Sequence, residues 1–459
     1  EYYTYQSDEI GQKIEAILIE KAKAGLDVRF IYDDVGSRSI RNKTVKRLRD
    51  AGVKAYPFYE VKFWALGRAN YRNHRKIIIV DGLTSFIGGI NVSDEYINKK
   101  DKASNGDRLF WRDSHLKIKG AAAYYLQFIF MTDWNFCSKE CLEPTHELFP
   151  SIPKDNNPEG KLVQIAASGP DSKTATIQHS LLQVIHLADE EILITTPYFV
   201  PGESLMDALI IASYSDIDVK LLVPKNSDSK MVNAAANSYY TELLPHGVEI
   251  FRYVKGFVHA KTMVVDDIFS TIGTSNMDYR SFNINFEVNA FIYDTENSKI
   301  LKQHFLEDLK HCELIEQERW VNRPKFEKFK ELYDKFLLQT NSENLLKAKA
   351  EFETDRKQLQ LDKSRAENQV LEQKNKARKN QLIFGAMGLL ALFTLIYLGR
   401  SLKFAKTKEK LQSTFARHTK LFCANKPANT SICAKVEIFL LKKYLFPLLK
   451  AHHSEHLTF

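Results

Sequence analysis

Two hydrophobic periods alternate along the first 330 residues of the chain. Apolar side chains at helical spacing (Ile10, Ile14, Ile17, Leu18, Ala22) predict a helix over 9–24, closed by Gly25, and a short apolar run predicts a strand over 28–32. A helix over 43–51 stops at Gly52 before a strand at 53–57, and a strand over 111–118 leads into a helix over 121–135. The prolines at 144, 150, 153 and 158 mark 143–160 as a linker. Beyond it the alternation resumes, with helices over 174–188, 204–213 and 230–244 and strands over 192–196, 219–223 and 248–253. Leu18, Ile19, Asp27, Val28 and Arg29 match Leu209, Ile210, Asp218, Val219 and Lys220 at a constant offset of 191. The pattern predicts an α/β fold made of two duplicated αβ units, 1–150 and 151–330, packed about a pseudo-twofold axis.

The pattern then changes. Residues 343–379 lack Gly and Pro and carry one apolar position per heptad (Leu345, Phe352, Leu359, Ala366), which predicts a long solvated helix within a charged segment, 331–381. The uncharged stretch 382–398, flanked by lysines and arginines, meets the lower limit of roughly 17 to 25 residues for a spanning helix. A transmembrane segment at 382–399 and a basic tail at 400–459 are therefore expected, with basic residues balanced on the two sides of the span.

Charge sharpens this division. Residues 1–330 hold 42 Lys and Arg against 45 Asp and Glu, a net −3, whereas 331–459 hold 23 against 12, a net +11. A protein that tracks a nucleic acid concentrates cations around its site, so this balance argues against a nucleic-acid substrate. Five scattered cysteines (Cys137, Cys141, Cys312, Cys423, Cys433) fit neither a disulfide framework nor a zinc site and read as free thiols. The chain opens on Glu1, inside an apparent strand with Tyr2, Tyr3 and Tyr5, and reads as a fragment of a longer protein.

The chemistry lies in a cassette that occurs twice. The first runs His74-x-Lys76, Asp81, Gly88-Gly89-x-Asn91; the second runs His259-x-Lys261, Asp266, Gly273-Thr274-x-Asn276. Residues two apart on a strand share a face, so each cassette presents an imidazole beside a fixed positive charge, anchored by the apolar runs Ile77–Val80 and Thr262–Val265. The glycine turn returns Asn91 or Asn276 to the same spot. Two such sets describe a pocket for one phosphate diester.

These cassettes resemble the HxKxxxxD signature of the phospholipase D superfamily, and the surrounding motifs are similar to bacterial cardiolipin synthases over about residues 1–330. The motifs are Tyr32-Asp33-Asp34-Val35-Gly36-Ser37, Asn73-His74-Arg75-Lys76, Trp111-Arg112-Asp113-Ser114-His115, Thr196-Pro197-Tyr198-Phe199-Val200-Pro201 and Asn285-Phe286-Glu287-Val288-Asn289. The tail weakly resembles the juxtamembrane region of tetratricopeptide-type sensor kinases.

The resemblance implies that His74, Lys76, Asp81, His259, Lys261 and Asp266 form the catalytic signature, with His74 as nucleophile and His259 as general acid. It implies that Asn91, Thr274 and Asn276 bind the phosphoryl oxygens together with the lysines. It further implies that Glu287 orients His259 and Asp113 orients His74. Asp81 and Asp266 read structurally as caps on the turn after each strand. No metal or other cofactor is implied. The implied reaction joins two phosphatidylglycerol molecules into cardiolipin at a bacterial cell membrane, with the catalytic part on the cytoplasmic side. Hydrolysis as a phospholipase D or nuclease, and a membrane-tethered interaction role without catalysis, remain alternatives. The loop residues Phe63, Trp64, Arg68, Tyr71 and Arg72 suit an entrance for a lipid headgroup.

Overall fold

The β-branched strands of the second half are apolar on both faces, as sheet interiors covered by helices require. In the computed structural model, which describes residues 1–61, 70–98, 110–138, 140–152, 160–341 and 344, they form one eight-stranded sheet. Its order is Cys312–Leu314, Glu249–Tyr253, Asp218–Pro224, Glu191–Thr195, Thr262–Val265, Phe269–Gly273, Glu287–Tyr293 and Leu162–Ser168. Glu249–Tyr253, Asp218–Pro224 and Glu191–Thr195 run parallel, and the remaining pairs are antiparallel.

Alternation along each strand sends neighbouring side chains to opposite layers. Ile192 and Ile194 join Ile177, Leu181, Leu205 and Leu209 of the helices Thr176–His186 and Glu203–Tyr214. Leu193 points the other way, into a cluster with Leu301 and Phe305 of the helix Thr295–Leu309.

The first half has Arg29–Asp33 parallel to Lys54–Phe58, and Ile77–Val80, Thr84–Gly88 and His115–Lys119 as an antiparallel set. Tyr2 bridges both Tyr32 and Lys76, and so joins the two groups. Helix Glu9–Lys23 is capped by the Asp8 carboxylate, which accepts from the Gly11 amide, and packs with Lys43–Asp50 over Tyr5, Phe30, Tyr32 and Leu48. A shared cluster of Ile77, Ile87, Leu126, Val288 and Ala290 ties the two halves together.

Helices and strands fall within a few residues of the sequence pattern, with one difference that matters for the site. The strand expected over 111–118 is two strands, Phe110–Arg112 and His115–Lys119, broken at Asp113 and Ser114. The first piece leaves the sheet of its own half and pairs in parallel with Gly256–Val258 of the other half, while the second stays beside Thr84–Gly88.

Residues 325–341 are helical and contain the start of the charged segment. Its remainder to 381, the expected span at 382–399, the tail at 400–459 and loop residues Phe63, Trp64 and Arg68 lie outside the described residues. Among the described residues, no helix is long and apolar enough to cross a membrane, and Cys137 and Cys312 are free thiols.

Candidate active site

Each cassette histidine stands just before its strand, where the main chain can still bond outside the sheet. The His74 N–H donates to the Phe286 carbonyl at 2.9 Å, and the His259 N–H donates to the Arg112 carbonyl at 2.7 Å. Those carbonyls immediately precede Glu287 and Asp113. Each carboxylate is thereby delivered to an imidazole of the opposite half: His74 Nδ1 lies 2.9 and 3.0 Å from the Glu287 oxygens, and His259 Nδ1 lies 2.7 Å from Asp113 Oδ2.

This corrects the pairing implied by resemblance, which put Glu287 on His259 and Asp113 on His74. The physical reason is the crossing of Phe110–Arg112 and of Phe286, whose bridge to Asn73 parallels the first crossing. A carboxylate on Nδ1 fixes the tautomer and leaves Nε2 available. Both imidazoles line one pocket of about 490 Å³, together with Asn91 and Asn276.

The turn after each strand supports these carboxylates differently. Thr274 does not line the pocket: its buried hydroxyl donates to Glu287 Oε2 at 2.6 Å and accepts from the Val288 amide at 3.0 Å. The expected phosphate contact of Thr274 is therefore replaced by a hold on Glu287. At the matching position of the first cassette stands Gly89, where a Cβ would lie 2.2 Å from Asp113 Oδ1. The glycine is required because the carboxylate occupies that space.

The signature aspartates do not join the histidines. Five residues of strand at about 3.3 Å each carry the chain roughly 16 Å from Lys76 to Asp81 or from Lys261 to Asp266. Asp266 accepts from the amides of Asp189, Glu190 and Glu191 at 2.8 to 2.9 Å, and so caps the start of Glu191–Thr195. Asp81 is exposed in a turn with φ +53°. The catalytic grouping implied for these two residues is corrected to the turn-forming one.

Lys76 and Lys261 are buried behind the histidines, and each ammonium donates to the carbonyl of its own cassette histidine, Lys76 at 2.6 Å. Burial, reinforced by the charge of Lys261, brings Lys76 down to about 7, although Glu287 pulls it up; burial brings Lys261 down to about 8. His74 falls to about 4 through burial, opposed by Glu287 and aided by Lys76. Burial and the charges of Lys261, Lys76 and His74 also hold His259 well below the ordinary imidazole value.

The two carboxyls diverge. Burial lifts Asp113 to about 6. Burial acts upward on Glu287 too, but the charge and hydrogen bond of His74, then Lys76 and the Thr274 hydroxyl, bring it below its ordinary value. Burial thus favours the neutral form of both imidazoles.

Asn91 Oδ1 accepts from the Thr4 amide at 3.2 Å, and its Nδ2 donates to the Tyr96 hydroxyl at 2.9 Å. Asn276 borders the pocket with a buried Oδ1 that has no hydrogen-bond partner. Aromatic walls were not assigned from sequence. Tyr3 meets His74 edge-on at 4.8 Å, while Trp111 and Phe257 lie 5.2 and 5.7 Å from His259. Trp111 stands two residues before Asp113 in sequence, which is the available signal. Among the described residues, no group of three or more His, Cys, Asp or Glu could hold a metal ion.

Comparison with known proteins shows the family of the chain. A family model described as cardiolipin synthase, PLD-like domain, matches residues 2–109 and 181–309. The chain is 47% identical over 325 residues to a cardiolipin synthase of Geobacillus sp. (strain WCH70), covering 71% of this chain and 63% of that protein. It is 42% identical over 342 residues to the major cardiolipin synthase ClsA of Bacillus subtilis (strain 168), covering 73% and 69%. The chain spans about 63% of the length of the first relatives it matches. A solved phosphatidylserine synthase of Haemophilus influenzae Rd KW20 shares the fold, with a TM-score of 0.53 at 16% identity over 76% of this chain and 88% of that one.

Proposed function

The chain belongs to the cardiolipin synthase family with phospholipase D-like domains, and from that premise we propose that its pocket transfers a phosphatidyl group from one phosphatidylglycerol to a second, yielding cardiolipin and glycerol. The observation that carries the proposal is the presence of two imidazoles on one pocket, each with Nδ1 tied to a carboxylate from the facing half.

A bound phosphodiester adds its negative charge to the pocket and raises the proton affinity of the imidazoles beside it. The His74 Nε2 lone pair attacks phosphorus as the bond from phosphorus to the glycerol oxygen breaks, and His259 gives its Nε2 proton to that oxygen. In the second step His259 takes the proton of the acceptor hydroxyl, whose oxygen bonds to phosphorus while the His74 nitrogen-phosphorus bond breaks. Lys76 and Lys261 stabilise the phosphoryl charge from behind, and Asn91 and Asn276 turn their amide groups to its oxygens. Asp113 and Glu287 hold the two rings in the required tautomer.

The two halves, about 1–150 and 151–330, are read as copies of one αβ unit about a pseudo-twofold axis. The matching of one family model to two stretches and the repeated main-chain crossing support that reading. The apolar stretch 382–398 is read as a membrane tether for the enzyme in a bacterial cell membrane.

The test is product analysis of the purified chain with labelled phosphatidylglycerol in vesicles. Cardiolipin and glycerol in equal amounts support the proposal. Phosphatidic acid in place of cardiolipin means that water resolves the intermediate, and no product from a folded chain means that the pocket is not catalytic.

A further inference from the structure

The helix over 325–341 is inside out. Its buried side carries charge: Glu331 and Asp334 are 6% and 8% exposed, whereas Phe326, Phe329 and Phe336 are 78%, 67% and 62% exposed. Exposed Leu332 and Tyr333 complete the outer stripe. Positions 326, 329, 333 and 336 recur at the spacing of one helical face, so the exposure is a continuous ridge and not scattered residues.

Polar contacts fix this orientation. The Glu331 carboxylate accepts from the Arg323 guanidinium at 2.7 and 3.0 Å and from Asn237 Nδ2 at 3.0 Å. The Lys335 ammonium pairs with Glu242 and sits 4.1 Å over the Tyr239 ring. The helix is therefore docked on Lys230–Leu243, whose first turn lends Val232 to the wall of the catalytic pocket. Leu338, two residues beyond Phe336, lines the same pocket. The helix that carries the ridge thus borders the pocket through its opposite face.

We infer that this ridge seats in the interface of an anionic lipid bilayer and brings the pocket mouth to the headgroups. The inference rests on the proposed lipid substrate. A pocket of about 490 Å³ lined by charged, polar and aromatic side chains has room for a headgroup, while the acyl chains strongly resist transfer to water. The pocket must then open toward the bilayer, and the ridge is an exposed apolar surface on a helix that borders it. Exposed Lys325 and Lys330 flank the aromatics, and a cationic and aromatic mixture of this kind binds anionic lipid interfaces.

The test uses the full chain with vesicles of phosphatidylglycerol and phosphatidylcholine. The Phe329→Trp variant adds one tryptophan to the four already present. Its added emission is quenched by lipids brominated on the acyl chains; added emission that is not quenched overturns the inference.

A Phe329→Ser, Phe336→Ser double variant is assayed on vesicles and on short-chain phosphatidylglycerol below its critical micelle concentration. The ratio of vesicle to monomer turnover is expected to fall about tenfold or more through lost interfacial binding. An unaltered ratio, including one accompanied by loss of a dimer, overturns the inference and in the latter case assigns the ridge to a second copy. Quenching in a chain that makes no cardiolipin leaves the docking intact and refutes the transfer reaction instead.

Discussion

The main-chain N–H of His259 donates to the carbonyl of Arg112 at 2.7 Å, and this bond decides which carboxylate serves which imidazole. Arg112 and Asp113 are consecutive, so pairing the first with His259 delivers the second to its Nδ1. The bond from the His74 N–H to Phe286 does the same for Glu287. Neither half is therefore complete alone, since each imidazole takes its orienting group across the seam.

The crossed pairing predicts different defects from the two carboxylate variants. Glu287→Gln should slow formation of the covalent intermediate on His74, and Asp113→Asn should slow proton transfer to the leaving glycerol, each by about 10²-fold or more. Rapid-quench measurement of the adduct checks this. A defect in adduct formation that is bypassed by an acidic leaving group is expected for Asp113→Asn alone.

Thr274→Val removes the hydroxyl that holds Glu287 and keeps the volume. We expect kcat to fall about tenfold to a hundredfold with little change in KM, as for a lost supporting hydrogen bond, and Thr274→Ser to restore it. A rise in KM with kcat preserved would return Thr274 to direct phosphate binding.

The pH dependence of kcat/KM should be a narrow bell. On the acid side activity falls as Asp113, lifted to about 6 by burial, takes up a proton and ceases to accept from His259. On the alkaline side it falls as Lys76 and Lys261, brought down by burial to about 7 and about 8, lose the charge that attracts the diester. Asp113→Asn should remove the acid limb while leaving the alkaline one, as measured by initial rates between pH 5 and about 9.

Burial of the Lys76 ammonium opposes folding. Its native value of about 7 lies below its ordinary 10.5, so the penalty is full below pH 7, where both states carry the proton. It fades between 7 and 10.5, where only the unfolded chain does. At about 1.4 kcal/mol per unit this is on the order of a few kcal/mol. Lys76→Met should therefore raise stability in urea melts at pH 6, with a gain that shrinks toward pH 10, while transfer activity is lost.

The readable parts of this protein were local. His74 and Lys76 stand two apart before an apolar run, so their period and company identify them without any knowledge of the fold. The same holds for the helix Glu9–Lys23, with its capping Asp8 and its apolar stripe. Asp113 was readable as a site residue but not in its partnership, because the break between Phe110–Arg112 and His115–Lys119 is made by a strand 146 residues away in sequence. Thr274 looked like a phosphate ligand for the same reason: only the fold shows that Glu287 reaches its hydroxyl first. The ridge on 325–341 was hidden by a composition that reads as charged.

The most direct measurement is peptide mapping, after denaturation at alkaline pH where the phosphorus–nitrogen bond survives, of the His259→Asn and His74→Asn variants exposed to a labelled phosphatidyl donor with an acidic leaving group, which needs no general acid, beside assays on phosphatidylglycerol. The account predicts a phosphatidyl adduct on the peptide bearing His74 in the first variant and none in the second, with cardiolipin formation abolished in both. Cardiolipin made at undiminished rate by either variant, or an adduct on neither peptide while product still forms, would contradict two imidazoles acting on one phosphorus.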